Sequence, residues 1–219
     1  TMLSGNTSVS LKDAVSSAIL EDILSHKYEP QEILNEKDLV KAYGCSKTPV
    51  REALLSLCND GVLRSIPRCG YEIVRLTVDD VNNMLHFRYI IESGLLTSGY
   101  MSFTPNQIAR LVELDAQCSA AENDLWHHWD CNAKFHVKMI TFCKNYYAAG
   151  VLQQCMDRLK RAYAQLYWDN LDSVTFSIDT RSHKDIIQGL QNKDLDFILS
   201  SLKKDLMDFG GPHSLSLSF

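Results

Sequence analysis

The chain has 219 residues, 45% of them hydrophobic, and a formal net charge of −5. That size allows one large domain or two small ones, with enough apolar residues for a core in each. No apolar run approaches the roughly 20 residues of a membrane-spanning helix, and the acidic balance (−1 over residues 1–76, −4 over the rest) rules out a bulk basic footprint for nucleic acid.

Residues 1–10 are small and polar, without the apolar stretch of a signal peptide, and are expected to be a flexible tail. Leu11, Ala14, Val15, Ala18, Ile19 and Ile23 recur at helical spacing, with Ser10 and Asp13 placed for a capping box. Tyr28-Glu29-Pro30 breaks that helix. Asn35 then caps a short helix over 36–42, and Gly44 supplies the turn after it.

A third helix is predicted over 47–59, with Ser46 as its N-cap. Pro49 is tolerated in the first turn, where N–H groups lack intrahelical partners. Ala53, Leu54 and Leu57 form its inward stripe, while Lys47, Thr48 and Arg51 point outward. Two alternating runs, 62–66 and 71–74, flank Pro67-Arg68-Cys69-Gly70 and read as a β-hairpin. Lys37, Lys41, Lys47, Arg51, Arg64 and Arg68 make a local basic set, with the acids expected on other faces.

From Thr77 on, the pattern is all helix. Thr77 and Asp80 form a capping box, and Thr104-Pro105-Asn106-Gln107 combines an N-cap, Pro at N1 and Gln at N3. Six helices are predicted, over about 77–100, 105–122, 124–143, 146–169, 175–191 and 194–209, arranged as an antiparallel bundle. The expected fold class is therefore mainly α: a winged helix-turn-helix at 11–76, a helical domain at 77–212 and a tail at 213–219. The seven cysteines contain no CxxC pair, which suggests reduced thiols and a cytoplasmic home.

Within the bundle, Asn132 and His136 are four residues apart and share a helix face. His183 and Asp205 lie before and after the turn at Asn192-Lys193, at similar heights on antiparallel helices. Two imidazoles, a carboxylate and an amide could converge there, a reasonable ligand set for zinc, nickel or manganese. The alternatives are satisfied core histidines or a polar, metal-free pocket. His127 and His128, beside Trp126 and Trp129, are expected on a bundle surface or pocket lip. No nucleophile–base pair is legible, so an enzyme is not expected.

The run Ser46-Lys47-Thr48-Pro49-Val50-Arg51-Glu52-Ala53-Leu54, with Leu57, Asp60-Gly61-Val62-Leu63 and Gly70 after it, resembles the winged-helix domain of GntR-type bacterial transcription regulators. The helical remainder resembles the FCD-type ligand-binding domain of that family's FadR-like branch. The resemblance implies DNA contacts at Lys37, Lys47, Thr48, Arg51, Arg68 and Gly70, with Arg51 suited to reading a guanine. Relatives often carry arginine where this chain has Lys37 and Lys47, and lysine lacks the planar fork.

Metal-binding members of the family carry Asp-x-x-x-His and two further histidines. Here Asn132 stands for the Asp and Asp205 for the last histidine. Arg88 and Glu92 match the family's Arg-x-x-x-Glu, read either as a structural ion pair or with Arg88 holding an organic anion. The resemblance thus implies a homodimeric repressor of operator DNA. Its helical domain would sense a small organic acid through Arg88, Asn132, His136 and His183, with metal on Asn132, His136, His183 and Asp205. A regulator with a ligand-free pocket and a metal-dependent enzyme are the rival readings.

Overall fold

A computed structural model describes residues 10–121, 124–167 and 181–208. The two tails, Trp168 and the expected helix start at 175–180 lie outside these residues. The fold is mainly α, as the pattern predicts, and it divides into two compact units. One is built on residues up to Leu76, with residues from Ala164 to the end of its helix grouped with it, and the other begins at Thr77.

The first unit holds α1 (Leu11–Leu24), β1 (Ile33–Leu34), α2 (Glu36–Tyr43), α3 (Lys47–Asn59), β2 (Leu63–Ile66) and β3 (Gly70–Ile73). Ile19, Leu39, Val50, Leu54 and Ile73 are among its buried core. Leu11, expected in the inward stripe, is 55% exposed; it is the first residue of α1, and burial begins at Val15.

The expected hairpin is part of a three-stranded antiparallel sheet in the order β1-β3-β2. Ile33 pairs with Glu72 and Leu34 with Tyr71. A two-residue strand is too short to leave a period-2 signal. Its approach explains Gly70: a Cβ there would meet the Leu34 carbonyl oxygen at 2.5 Å, and φ is +144°.

Ser46 and Asn35 occupy the N-cap positions but make no side-chain cap bond. For Ser46 the reason lies in the helix itself. Pro49 sits at N3 and has no N–H for the hydroxyl to accept from. At Asn35, the N3 amide of Asp38 goes instead to the Asn35 backbone carbonyl at 3.1 Å.

The second unit is built on six α-helices among the described residues: α4 (Val78–Gly99), α5 (Pro105–Ala120), α6 (Leu125–Phe142), α7 (Tyr146–Tyr167, up to Tyr163), α8 (Arg181–Asn192) and α9 (Leu195–Asp208). The predicted capping boxes form at Thr77 and at Thr104 with Pro105 at N1, whereas at Ser10 the side chain caps the Asp13 N–H but the Asp13 carboxylate accepts from the Ser10 hydroxyl and not from its backbone. The helix pairs α8–α9, α5–α6, α4–α9 and α5–α8 pack against one another. No described helix is long and apolar enough to cross a membrane.

Candidate functional site

In the first unit, Lys47, Thr48 and Arg51 are exposed along the start of α3. An open groove of about 520 Å³ runs beside it, and Lys37, Lys47, Arg68 and Gly70 all line it. Thr48 and Arg51 do not. Arg68 holds φ +65° in the turn between β2 and β3.

The acids are not confined to other faces, contrary to the sequence reading. Glu36 and Asp38 line the same groove. Lys47 Nζ lies 3.3 Å from Glu36 Oε1, and Arg64 Nε donates to Glu72 Oε2 at 2.9 Å. A first-turn glutamate suits a helix N-terminus, so Glu36 at the start of α2 serves the helix and the lysine together.

In the second unit, five helices direct polar side chains into one buried cluster. Arg88 and Glu92 come from α4, Asp115 from α5, Asn132 and His136 from α6, His183 from α8 and Asp205 from α9. None is more than 5% exposed. Spacing explains each contribution. Residues four apart on α4 and on α6 share a face, and the short turn between α8 and α9 brings His183 and Asp205 together.

Their chemistry fixes the two imidazoles. His136 donates from Nδ1 to Glu92 Oε2 at 2.6 Å, because a carboxylate only accepts. Its Nε2 then faces Asp205 Oδ2 at 3.0 Å. Asn132 donates from Nδ2 to His183 Nε2 at 3.3 Å, which leaves the His183 proton on Nδ1, 3.3 Å from Asp115 Oδ1. Asp205 Oδ1 lies 3.6 Å from His183 Nε2. Phe135 stacks on the His183 ring with centroids 3.9 Å apart, which holds the ring plane.

Several of these atoms lack hydrogen-bond partners among the described residues: Asn132 Oδ1, His136 Nε2, Asp205 Oδ2, His183 Nδ1, Asp115 Oδ1 and both terminal nitrogens of Arg88. Ion-pair distance without hydrogen-bond direction means that the donors and acceptors aim past one another. Buried polar atoms left so are costly unless something else satisfies them.

Ligand atoms of His136, His183 and Asp205 all fall within 4.8 Å of one another. Two ligands held at zinc distances with tetrahedral angles are roughly 3.3 Å apart. Asp205 offers a different oxygen to each ring, Oδ2 at 3.0 Å from His136 Nε2 and Oδ1 at 3.6 Å from His183 Nε2, so each contact is near that value. The residues present therefore fit a divalent ion.

Charge shapes the cluster further. Burial alone would raise the Asp205 carboxyl, but the charge of His136, then of His183 and Arg88, brings it down to about 2. Burial opposes the ionised Glu92 in the same way, yet Arg88 and His136 hold it below the usual carboxylate range. Burial lowers the His136 imidazole, and the facing Glu92 more than restores it.

The four residues of the proposed ligand set are thus brought together, and Arg88 joins them through Glu92, to which its Nε donates at 2.9 Å. Sequence reading missed Asp115. A signal was present: Asp115 continues the inward stripe of Ile108, Leu111 and Cys118, where an acid is out of place. His128 is 2% exposed rather than at a surface, with Nδ1 at 2.9 Å from the Cys118 carbonyl.

Residues 11–73 match the family described as "Bacterial regulatory proteins, gntR family", and residues 83–203 match the FCD domain. The chain belongs to the GntR family. A GntR helix-turn-helix domain followed by an FCD domain makes this GntR-family protein a DNA-binding transcription regulator.

Its relatives agree. It is 25% identical over 177 residues to the HTH-type transcriptional regulator YdhC of Bacillus subtilis (strain 168), covering 78% of this chain and 76% of that one. It is 23% identical over 205 residues to the HTH-type transcriptional repressor RspR of Escherichia coli (strain K12), covering 85% and 82%. The structure of E. coli McbR/YncC matches with a TM-score of 0.72 and 20% identity, over 90% of this chain and 94% of that one, a likeness of fold.

Proposed function

We propose that this GntR-family regulator is a repressor whose FCD domain senses a small organic acid at a divalent metal held by His136, His183, Asp205 and Asn132. The convergence of three ligand atoms within 4.8 Å in a buried site carries this reading. Zinc, nickel and manganese all suit two imidazoles and a carboxylate. Glu92, Asp115 and Asp205 are three buried carboxylates in this cluster, and a divalent cation beside them would take the place of the proton that charges His136.

A metal bound here would supply a Lewis-acidic position for an effector oxygen. Arg88 uses Nε on Glu92 and leaves its two terminal nitrogens without partners among the described residues. That fork suits a carboxylate.

The DNA-reading residues in this proposal are Lys37, Lys47, Thr48, Arg51, Arg68 and Gly70. Lys37, Lys47 and Arg68 meet phosphates, and Arg51 reads a base. The protein acts in the cytoplasm as a homodimer on two half-sites. Effector binding shifts the balance between DNA-binding and released arrangements by binding one more tightly.

A second reading has one observation in its favour. The Asn132 amide donates to His183 Nε2, a nitrogen that a metal would need, so the cluster can also close on itself as a ligand-free pocket. Binding of zinc to purified protein, and its loss in His136→Ala and His183→Ala, separates the two. Undiminished zinc uptake in both variants would overturn the assignment of the ligands.

A further inference from the structure

Both imidazoles in the cluster have a carboxylate behind them, and neither carboxylate is among the proposed ligands. We propose that Glu92 and Asp115 are the positioning residues of the centre: each holds the Nδ1 side of one imidazole so that both Nε2 atoms face Asp205. The inference rests on the metal reading above and deepens it.

Each imidazole has two ring nitrogens with different tasks. A neutral imidazole offers one lone pair, and the hydrogen bond made by the other nitrogen decides which atom carries it. Glu92 takes the Nδ1 proton of His136 at 2.6 Å. Asp115 Oδ1 stands 3.3 Å from His183 Nδ1. Those two atoms are both buried, and neither has a hydrogen-bond partner among the described residues.

The positions are also separate in the fold. The ligands sit on α6, α8 and α9, whereas the two outer carboxylates sit on α4 and α5. The centre thereby ties five helices together. Glu92 does double duty: one oxygen takes His136 and the other takes Arg88 Nε. The guanidinium that would meet an anionic effector and the imidazole that would meet the metal are held by one carboxylate. In the bland alternative, Asp115 is a buried acid kept for packing, and His183 needs no help.

Asp115 carries the test, because Glu92 variants leave the Arg88 charge unpaired and risk unfolding. Zinc(II) affinity is measured by chelator competition on the full chain, for the unaltered protein and for Asp115→Leu, Asp115→Asn and Asp115→Glu. The melting temperature of each metal-free variant checks its fold. Nitrogen-15 spectra of the histidines report the proton on His183 Nδ1.

The expected result is a loss of zinc affinity of roughly 10–100-fold in Asp115→Leu, a smaller loss in Asp115→Asn and partial rescue in Asp115→Glu. The His183 Nδ1–H signal should exchange slowly in the unaltered protein and fast in Asp115→Leu. A folded Asp115→Leu protein that binds zinc within about twofold of the unaltered chain overturns the proposal. If the unaltered protein takes up no zinc, the metal reading fails instead. The metal-free spectra then decide: the same His183 signal with and without the Asp115 carboxylate overturns the positioning role, and its loss in Asp115→Leu supports it.

Discussion

Asp205 Oδ2 and His136 Nε2 lie 3.0 Å apart, both buried, an ion pair in which the ring nitrogen aims poorly at the oxygen. In the proposed centre both atoms turn to one metal ion instead of to each other. That relationship organises the second unit, and it makes Asp205 the most informative ligand to change. Asp205→Asn removes the only carboxylate of the ligand set while keeping its shape. Zinc affinity should fall by more than the roughly 10–100-fold that loss of an outer partner costs. Chelator competition checks it; an affinity equal to that of the unaltered chain would remove Asp205 from the centre.

Arg88 and Glu92 form a pair with no exposed surface. Arg88→Met leaves Glu92 ionised and buried with only His136 beside it. The expected cost is about 3–5 kcal/mol in urea unfolding, the range for removing one partner of a buried pair. Arg88→Met combined with Glu92→Gln removes both charges and should recover part of the loss. A double variant less stable than the sum of the two single changes would contradict this.

On the DNA side, Lys47 is engaged by Glu36 before any duplex arrives. Glu36→Gln should free that lysine, raise affinity for any duplex at low salt and steepen the salt dependence by roughly one counterion. Arg51→Ala should instead lose discrimination worth about 1–3 kcal/mol, if Arg51 reads a base. Mobility shifts over a salt series separate the two effects. Equal salt slopes with and without Glu36 would show that the pair plays no part.

The capping box at the start of α4 gives a pH-dependent term outside the cluster. The Thr77 hydroxyl, then its backbone N–H, holds the Asp80 carboxyl below its ordinary value. A depressed folded-state pKa means that the stabilisation is fully present above the unfolded value, roughly 3.9, and is lost as pH falls through the folded one. Asp80→Ala should therefore cost about 1 kcal/mol near neutral pH and progressively less in acid. Unfolding curves at several pH values check this, and a cost that is constant with pH would contradict it.

The helices and their ends were largely legible in the sequence because caps and breakers are local. Thr77, Thr104 with Pro105, and Gly44 act within one turn of chain. The Ser46 cap has a local weakness too, since proline at N3 removes one of the two donors a cap can use. Strand β1 was not legible because two residues carry no period, although Gly70 marks where its backbone passes. In the bundle, the i, i+4 pairs Arg88–Glu92 and Asn132–His136 could be read directly. That Glu92 also binds His136, 44 residues away, and that Asp115 stands behind His183, depend on packing between helices. Only the oddity of an acid in the apolar stripe of α5 pointed there.

The most direct test of the centre is elemental mass spectrometry on tag-free protein purified without chelator, alongside His136→Ala and His183→Ala. The account predicts roughly one transition metal per chain in the unaltered protein, as a single closed site requires, and none in either variant. An unaltered protein that holds no metal even after reconstitution with zinc, nickel or manganese would contradict it, and the cluster would stand as a metal-free polar pocket.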